Sequence, residues 1–359
     1  MLPWLGGFFF CLQPDITSMH ALTLISQQEF AELENPSAHF LQTALWGGIK
    51  SQFSWKALYT SFDSSYPILI LERLLPFGQR VLYVPRGPII ESENLEVLTK
   101  ALRALQTFAR KRKATCLRIE PEIASEDASW TEALATTGFD KAPRNIQFKG
   151  TMLLDLTLSP TKLLESFKEK TRYNTKVAQK KGVKVLVSHQ EKDLHVLYDL
   201  FRQTGIRKGY RVNPWQYYKT VWTKMIDAGQ AELFQAYHEE DLLSTIMPYV
   251  HGEHAWYTYN ADTGIKRNLM GNTLALWEVI LWLKSRGVTT FDLWGIPVTK
   301  EQSDSFTGVL RYKRGFSGKE VEWLGCWDYY PNRTWKQWYG RFERVYNHWV
   351  WQTKHELVY

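Results

Sequence analysis

PILILERLLPFGQRVLYVPRGPII, Pro67–Ile90, is the stretch whose reading decides the fold. Two apolar runs, PILILERL and RVLYVPRGPII, flank PFGQ, where proline and glycine suit a tight turn, so the stretch reads as two paired strands. Downstream, ENLEVLTKALRALQTFARKRK carries apolar residues at helical spacing and ATCLRIEP returns as a strand. The same order recurs later: AELFQAYHEE, LLSTIMPYVHG and HAWYTYNAD read as strands, NTLALWEVILWLKSRG as a helix, and VTTFDLWGIP as a strand. Two copies of one meander, helix and strand unit follow, with a boundary near Gly150 and an α+β class of mixed sheets flanked by helices. Each unit has a helical approach, SQQEFAELEN with ALWGGIKSQF in the first and SPTKLLESFKEKTRYNTKVAQKKG with KDLHVLYDLFRQTGIRKG in the second. No low-complexity linker separates them, so the halves are expected to pack closely.

Length agrees with two domains, since 359 residues exceed what one ordinary core fills. The 16 Trp and 18 Tyr suit pockets and grooves as well as cores, and the formal charge of +7 favours polyanionic partners or acidic membrane surfaces. Cys11, Cys116 and Cys326 are isolated and odd in number, which argues against a disulfide framework and a zinc cluster and for a reducing compartment. MLPWLGGFFFCL at the amino terminus lacks a basic flank and is too short to span a bilayer. Residues 1–18 read as an extension before a domain start at Met19, with a weak membrane-contacting segment as the alternative.

The most strongly marked helix follows Leu158. Ser159 caps it, Pro160 fits its first turn, and Gly182 sits where it would stop. Lys168, Arg172, Lys176 and Lys180 recur every four residues and make a cationic stripe, fit for phosphates or simply a solvated face. Near the end, VLRYKRGFSG (309–318) places Arg311, Lys313 and Arg314 beside two glycines, either to hold an anion or as a solvated hairpin. Nucleophile elbows, Walker loops, C-x-x-C pairs and dinucleotide fingerprints are absent, and His251 and His254 of HGEH straddle a hairpin turn without completing a metal site. What remains is a transferase that works by positioning, or a binding protein.

The motifs FLQTALWGGIK, LRIEP, KTRYNTKVAQKKGVKV, IRKGYRVNPWQYY, AWYTYNAD, NLMGNTLALWEVILWLKSRG, FDLWGIP and YKRGFSG, in that order, resemble the FemABX family of peptidoglycan aminoacyltransferases. The resemblance runs from about Met19 to the carboxyl terminus. It implies two tandem acetyltransferase-type (GNAT) domains, here residues 19–150 with 320–359 and residues 151–319. It also implies transfer of an amino acid from aminoacyl-tRNA to a side-chain amine of the peptidoglycan precursor stem peptide, UDP-linked or lipid-linked. No cofactor and no metal are implied. The family setting is cytoplasmic, with peripheral contact at the inner membrane surface as a further expectation. The long helical arm of some members has no counterpart here, so the chain resembles the compact members.

The resemblance proposes roles as well. Lys50 in WGGIK matches a family lysine that contacts the sugar and phosphate part of the precursor, and Arg211 and Tyr218 lie where further precursor contacts are expected, with Tyr217 as the competitor of Tyr218. Tyr257 and Tyr259 alternate on a strand and would share one face as a groove wall. Lys313 matches the lysine that supports acyl transfer and Tyr312 the aromatic beside it. Glu120 in RIEP stands at a family aspartate and is the candidate to orient or deprotonate the amine, with Asp292 as its rival. The cationic stripe from Lys168 to Lys180 is the candidate tRNA surface. Two alternatives stay open: an acyl-CoA dependent GNAT N-acyltransferase, although RNLMGN lacks the usual pyrophosphate loop, and a non-catalytic carbohydrate or nucleic-acid binding protein. The aromatic helix RTWKQWYGRFERVYNHWVWQ (333–352) is expected to pack on the first domain, a membrane contact being the alternative.

Overall fold

A computed structural model describes residues 21–90, 94–298, 304–354 and 357. The extension 1–18, Cys11 included, lies outside the described residues. In the first sheet, β1 (Leu22–Leu24), β2 (Lys56–Phe62), β3 (Tyr66–Leu74), β4 (Arg80–Pro85), β5 (Cys116–Glu120) and β6 (Asp140–Lys141) are joined by a strand from the far end of the chain, β14 (Trp327–Tyr329). The second holds β7 (Gly150–Asp155), β8 (Lys184–Ser188), β9 (Leu233–His238), β10 (Asp241–His251), β11 (His254–Asp262), β12 (Thr290–Asp292) and β13 (Lys319–Glu322).

The strand orders, β1-β2-β3-β4-β5-β14-β6 and β8-β9-β10-β11-β12-β7-β13, match position by position. In each, a meander ends in a strand that runs parallel to the next one, β4 to β5 and β11 to β12. The crossovers are the expected helices, α3 (Leu95–Lys111) and α9 (Gly271–Ser285). Beyond the parallel pair, the second sheet takes β7 while the first waits for β14. The carboxyl-terminal segment therefore completes the first sheet.

Local chemistry explains the helices. Ser26 and Glu29 form a reciprocal capping box on α1 (Gln27–Leu33), and Asn94 caps α3 through Val97 N. Leu98, Ala101, Leu102, Leu105 and Ala109 line one face of α3 against the first sheet, whereas α9 is apolar nearly all round and is covered on more than one side. α4 (Ala128–Thr137) starts at Asp127, which accepts from Trp130 N, and buries that tryptophan completely. A third cluster lies between the two sheets, where α2 (Ala44–Lys50), α7 (Glu191–Lys208) and α8 (Trp215–Asp227) pack together. The halves pack closely, as expected.

The marked basic helix is two helices. α5 (Pro160–Ser166) stops and α6 (Glu169–Lys180) starts after an extended pair, Phe167 and Lys168. Nothing in the local sequence breaks it. Phe167 instead drops into the core against Trp277 and Phe316, at 5.7 and 5.1 Å between ring centres, while Lys168 N donates to Gly315 O at 2.9 Å. Packing overrides helix propensity here.

The last helix, α11 (Trp335–Lys354), packs on the first sheet through Tyr339 and Glu343, also buries Val350, and leaves Trp338, Val345 and Trp349 exposed. Arg118 of β5 is completely buried and meets both Asp328 of β14 and Glu343 of α11, at 2.7 and 2.8 Å. No helix among the described residues is long and apolar enough to cross a membrane.

Candidate active site

VLRYKRGFSG is a helix end rather than a hairpin. α10 (Asp304–Lys313) runs into a single 3-10 turn, Arg314–Phe316, and then into β13. Arg311 is exposed, and Arg314 is held by Glu320 in a two-point ion pair at 2.5 and 3.0 Å. A side chain at Gly315 would meet Thr171 of α6, so this glycine lets the two elements touch. Only Lys313 of the three cations turns inward.

Lys313 is 6% exposed and donates to Trp294 O and Gly295 O, at 3.1 and 2.7 Å. Those carbonyls follow β12 in a backbone turn where Trp294 has φ of 64°, a conformation costly for a large side chain. Asp292 holds the turn, accepting from Trp294 N at 2.5 Å and from Thr151 Oγ1. Burial pushes the Lys313 ammonium down to about 8, with Asp292 opposing that fall and Lys208 adding to it. Two of the three ammonium N–H groups are used by the described residues. Tyr312 donates to Asn272 O at 3.2 Å, and Tyr257 lies beside it in the same core.

Tyr257 and Tyr259 do not share a face. The β10–β11 register passes from Met247↔Tyr259 to Tyr249↔Trp256, so β11 has one extra residue at this point. That bulge reverses the alternation. Tyr257 enters the core of the second sheet, while Tyr259 joins Trp222, Tyr218 and Phe201 in the cluster between the sheets.

Lys50 ends α2 in an aromatic cage, its Nζ lying 5.8 Å from the Trp46 ring, 5.9 Å from Trp55 and 5.5 Å from Tyr217. Tyr217 faces Lys50, whereas the neighbouring Tyr218, turned by one helical step, is buried against Trp222 at 5.1 Å. Burial and the charge of Arg73 push Lys50 down to about 7, while the ring faces favour its charged form. The folded value is below the unfolded value of 10.5, so the unfolded chain binds more protons between the two and native stability rises with pH across that window. Lys50→Met should therefore stabilise the protein at pH 6, by up to about 5 kcal/mol before the lost ring contacts are counted, with the gain fading toward pH 10. Denaturant titrations at both pH values check this; a variant less stable than the parent at pH 6 contradicts it.

Arg211 is exposed and stacks on Trp351 of α11 at 4.9 Å. Its neighbour Asn213 accepts from Leu357 N at 2.7 Å, so the loop before α8 receives the carboxyl-terminal segment. Glu120 is fully engaged elsewhere. Its carboxylate accepts from Tyr83 OH at 2.6 Å and from the backbone N–H groups of Ile146 and Gln147, at 3.1 and 2.9 Å, and so fastens the loop ahead of β7. In the cationic stripe, Arg172 folds back onto Glu165 O and Phe167 O at the end of α5, while Lys168, Lys176 and Lys180 stay exposed.

A cavity of about 610 Å³ opens between the sheets, and among its polar lining are four residues, His39, Arg86, Glu122 and Asp292. Sequence reading passed over the first three, and for Asp292 it weighed only a rival role to Glu120. Arg86 and Glu122 had a signal, since each follows the carboxyl end of one of two parallel strands, β4 and β5, where ligand sites collect. His39 had none.

A family model described as FemAB family matches residues 25–239. The chain belongs to the FemAB family. An acetyltransferase (GNAT) domain model also matches residues 165–314 of this FemAB protein. The lipid II:glycine glycyltransferase of Staphylococcus epidermidis is 21% identical over an alignment of 390 positions, covering 88% of this chain and 94% of that protein. Its Staphylococcus aureus counterpart is 25% identical over 232 positions, covering 60% and 54%. Among solved structures, the crystal structure of FemX superposes with a TM-score of 0.78 at 19% identity, covering 88% of this FemAB chain and 98% of the other. A tandem GNAT protein from the clavulanic acid biosynthesis pathway superposes at 0.51 with 12% identity, covering 87% and 98%. The matching strand orders are those of tandem GNAT-like domains.

Proposed function

We propose that this chain is an aminoacyltransferase that moves an amino acid from aminoacyl-tRNA to a side-chain amine of the peptidoglycan precursor stem peptide, building an interpeptide bridge at the inner face of the membrane. The observation that carries the reading is the end-to-end similarity to a protein named for glycyl transfer to lipid II, which spans 94% of that protein. The buried Lys313 supports it, because an activated ester needs little beyond placement and charge stabilisation. In the reaction the amine nitrogen bonds to the ester carbonyl carbon, the ester C–O bond breaks, and the amine proton ends on the departing ribose oxygen. Lys313 is the group proposed to meet the carbonyl oxygen as it gains charge.

The exposed lysines of α6 are the proposed tRNA contact. Lys176→Glu with Lys180→Glu should weaken tRNA binding and flatten its salt dependence by roughly one logarithmic unit for each phosphate that is no longer neutralised. Arg172 is unsuited to this test, since its loss also uncaps α5. An unchanged salt slope returns the stripe to a solvated face.

Equilibrium binding separates the alternatives. The aminoacyltransferase reading expects saturable binding of aminoacyl-tRNA and of precursor, UDP-linked or lipid-linked, and no competition by coenzyme A. Tight coenzyme A binding with no tRNA binding overturns it in favour of an acyl-CoA enzyme.

A further inference from the structure

The outer face of α11 is left over once the helix has packed. Tyr339, Glu343 and Val350 turn inward, while Trp338, Val345 and Trp349, about a third of a turn away and within about 40° of one another, stay exposed. Behind them Phe342, Tyr346 and Trp349 form a stack with ring centres 6.2 and 6.1 Å apart, so the apolar stripe is continuous. Cations edge it on the solvent side. Arg341 lies over the Trp338 ring at 5.7 Å and Arg344 donates to Gly340 O at 3.2 Å, and among the described residues neither is paired with a carboxylate. The one carboxylate of the helix, Glu343, is buried on Arg118.

The hairpin between β3 and β4 adjoins this face. Leu75 and Val81 pack in one cluster with Tyr339, and Gly78 and Gln79 line a hollow of about 380 Å³ together with Trp335, Arg110 and Lys113. Both of these cations are exposed and, among the described residues, without a carboxylate partner. At the tip, Phe77 is 89% exposed with φ of 61°, and Leu74 is exposed as well. Neither turn nor core accounts for phenylalanine there, since asparagine or glycine makes such a turn without strain and without apolar surface in water.

We propose that the α11 face and the β3–β4 tip seat the protein on an anionic lipid bilayer. Phe77, Trp338, Val345 and Trp349 enter the boundary between headgroups and acyl chains, and Arg110, Lys113, Arg341 and Arg344 meet lipid phosphates. No helix among the described residues is long and apolar enough to cross a membrane, so the contact proposed is peripheral. RNA suits the surface less, because base stacking has no use for Leu74 or Val345 and Phe77 stands on a projecting tip. A second copy would bring like charge against like charge. The assignment stands on this surface alone and not on the choice of acyl donor.

Co-sedimentation of the full chain with vesicles tests this without tRNA, precursor or turnover. Vesicles of phosphatidylglycerol mixed with phosphatidylcholine should bind the chain at least about tenfold more tightly than phosphatidylcholine alone, each cation near an anionic surface being worth about fivefold. Phe77→Asn with Trp338→Gln should weaken that binding at least about tenfold, and so should Arg341→Gln with Arg344→Gln. Asparagine accepts left-handed backbone better than phenylalanine and Trp338 is exposed, so the first pair keeps the fold. An unchanged melting temperature verifies that, and the arginine pair carries the test if it falls. Binding unchanged in both pairs places any membrane contact elsewhere and overturns the proposal, as does equal binding to the two kinds of vesicle, or none. Without vesicle binding, tRNA binding lost in either pair assigns the face to RNA, and a concentration-dependent dimer dispersed by either pair assigns it to a second copy; each result overturns the proposal. Vesicle binding by a chain that transfers nothing removes the aminoacyltransferase reading alone.

Discussion

Lys313→Met lowers turnover by about a hundredfold or more and changes precursor affinity by less than about threefold. The expected split follows from where the ammonium sits. Two of its N–H groups are held by Trp294 O and Gly295 O, which fixes Nζ in place before substrate arrives. A preorganised donor of this kind gains most when charge develops on the substrate oxygen, and losing one such donor typically costs about 10²–10³ in rate. Methionine keeps the volume of the stem and removes the charge. Single-turnover rates and equilibrium binding, measured on the same preparation, check the split. If affinity falls as far as rate, Lys313 is a binding group and its assigned role is wrong.

Arg118→Met should cost about 3–5 kcal/mol of stability, the largest loss expected of any single substitution considered. Arg118 is the shared partner of Asp328 and Glu343, and all three side chains are buried. Removing the guanidinium leaves Asp328 with the Tyr330 hydroxyl, at 2.8 Å, and Glu343 with Arg144, at 3.1 Å and partly solvated. Because β14 and α11 carry those carboxylates, the damage falls on the strand and helix that complete the first sheet. Replacing all three by apolar residues should recover most of the loss, since a well-packed apolar trio avoids the cost of burying charge. Denaturant midpoints for the single and triple variants decide it. A single variant within about 1 kcal/mol of the parent would show that the network does not hold this end of the chain.

Most of the architecture could be read from local pattern, because each meander strand alternates or runs apolar over several residues, and of the crossover helices α3 has a clear stripe while α9 is a long apolar run. The two strands that complete the sheets were harder. β14 is three residues long, and its place between β5 and β6 depends on partners about 200 residues away, such as Arg118 with Asp328. Windowed periodicity carries no such information. The break at Phe167 escaped for the same reason, since it answers to tertiary packing and is marked by neither glycine nor proline, whereas the bulge in β11 lies opposite Pro248 of β10, a signal that was not read.

Site residues divide along similar lines. Lys313 and Lys50 were proposed by resemblance, and the structure buries both, which depresses their basicity. Glu120 was chosen because it stands at a family aspartate, yet Glu122, two residues on, lines the cavity. Pro121 stands between them, and the fold gives one carboxylate to Tyr83 and the loop before β7 and the other to the space between the sheets. The resemblance points to a carboxylate at this strand end, and only the packed structure tells which one faces the cavity.

The most direct test of aminoacyl transfer is a one-pot competition, in which the full chain is given a charged-tRNA pool, acetyl-CoA and both precursor forms, and the stem peptide is then weighed and fragmented by mass spectrometry. The account predicts the mass of one or more added aminoacyl residues on the side-chain amine, dependent on tRNA and lost in Lys313→Met. An acetylated product, or an unmodified stem peptide with every donor, would contradict it.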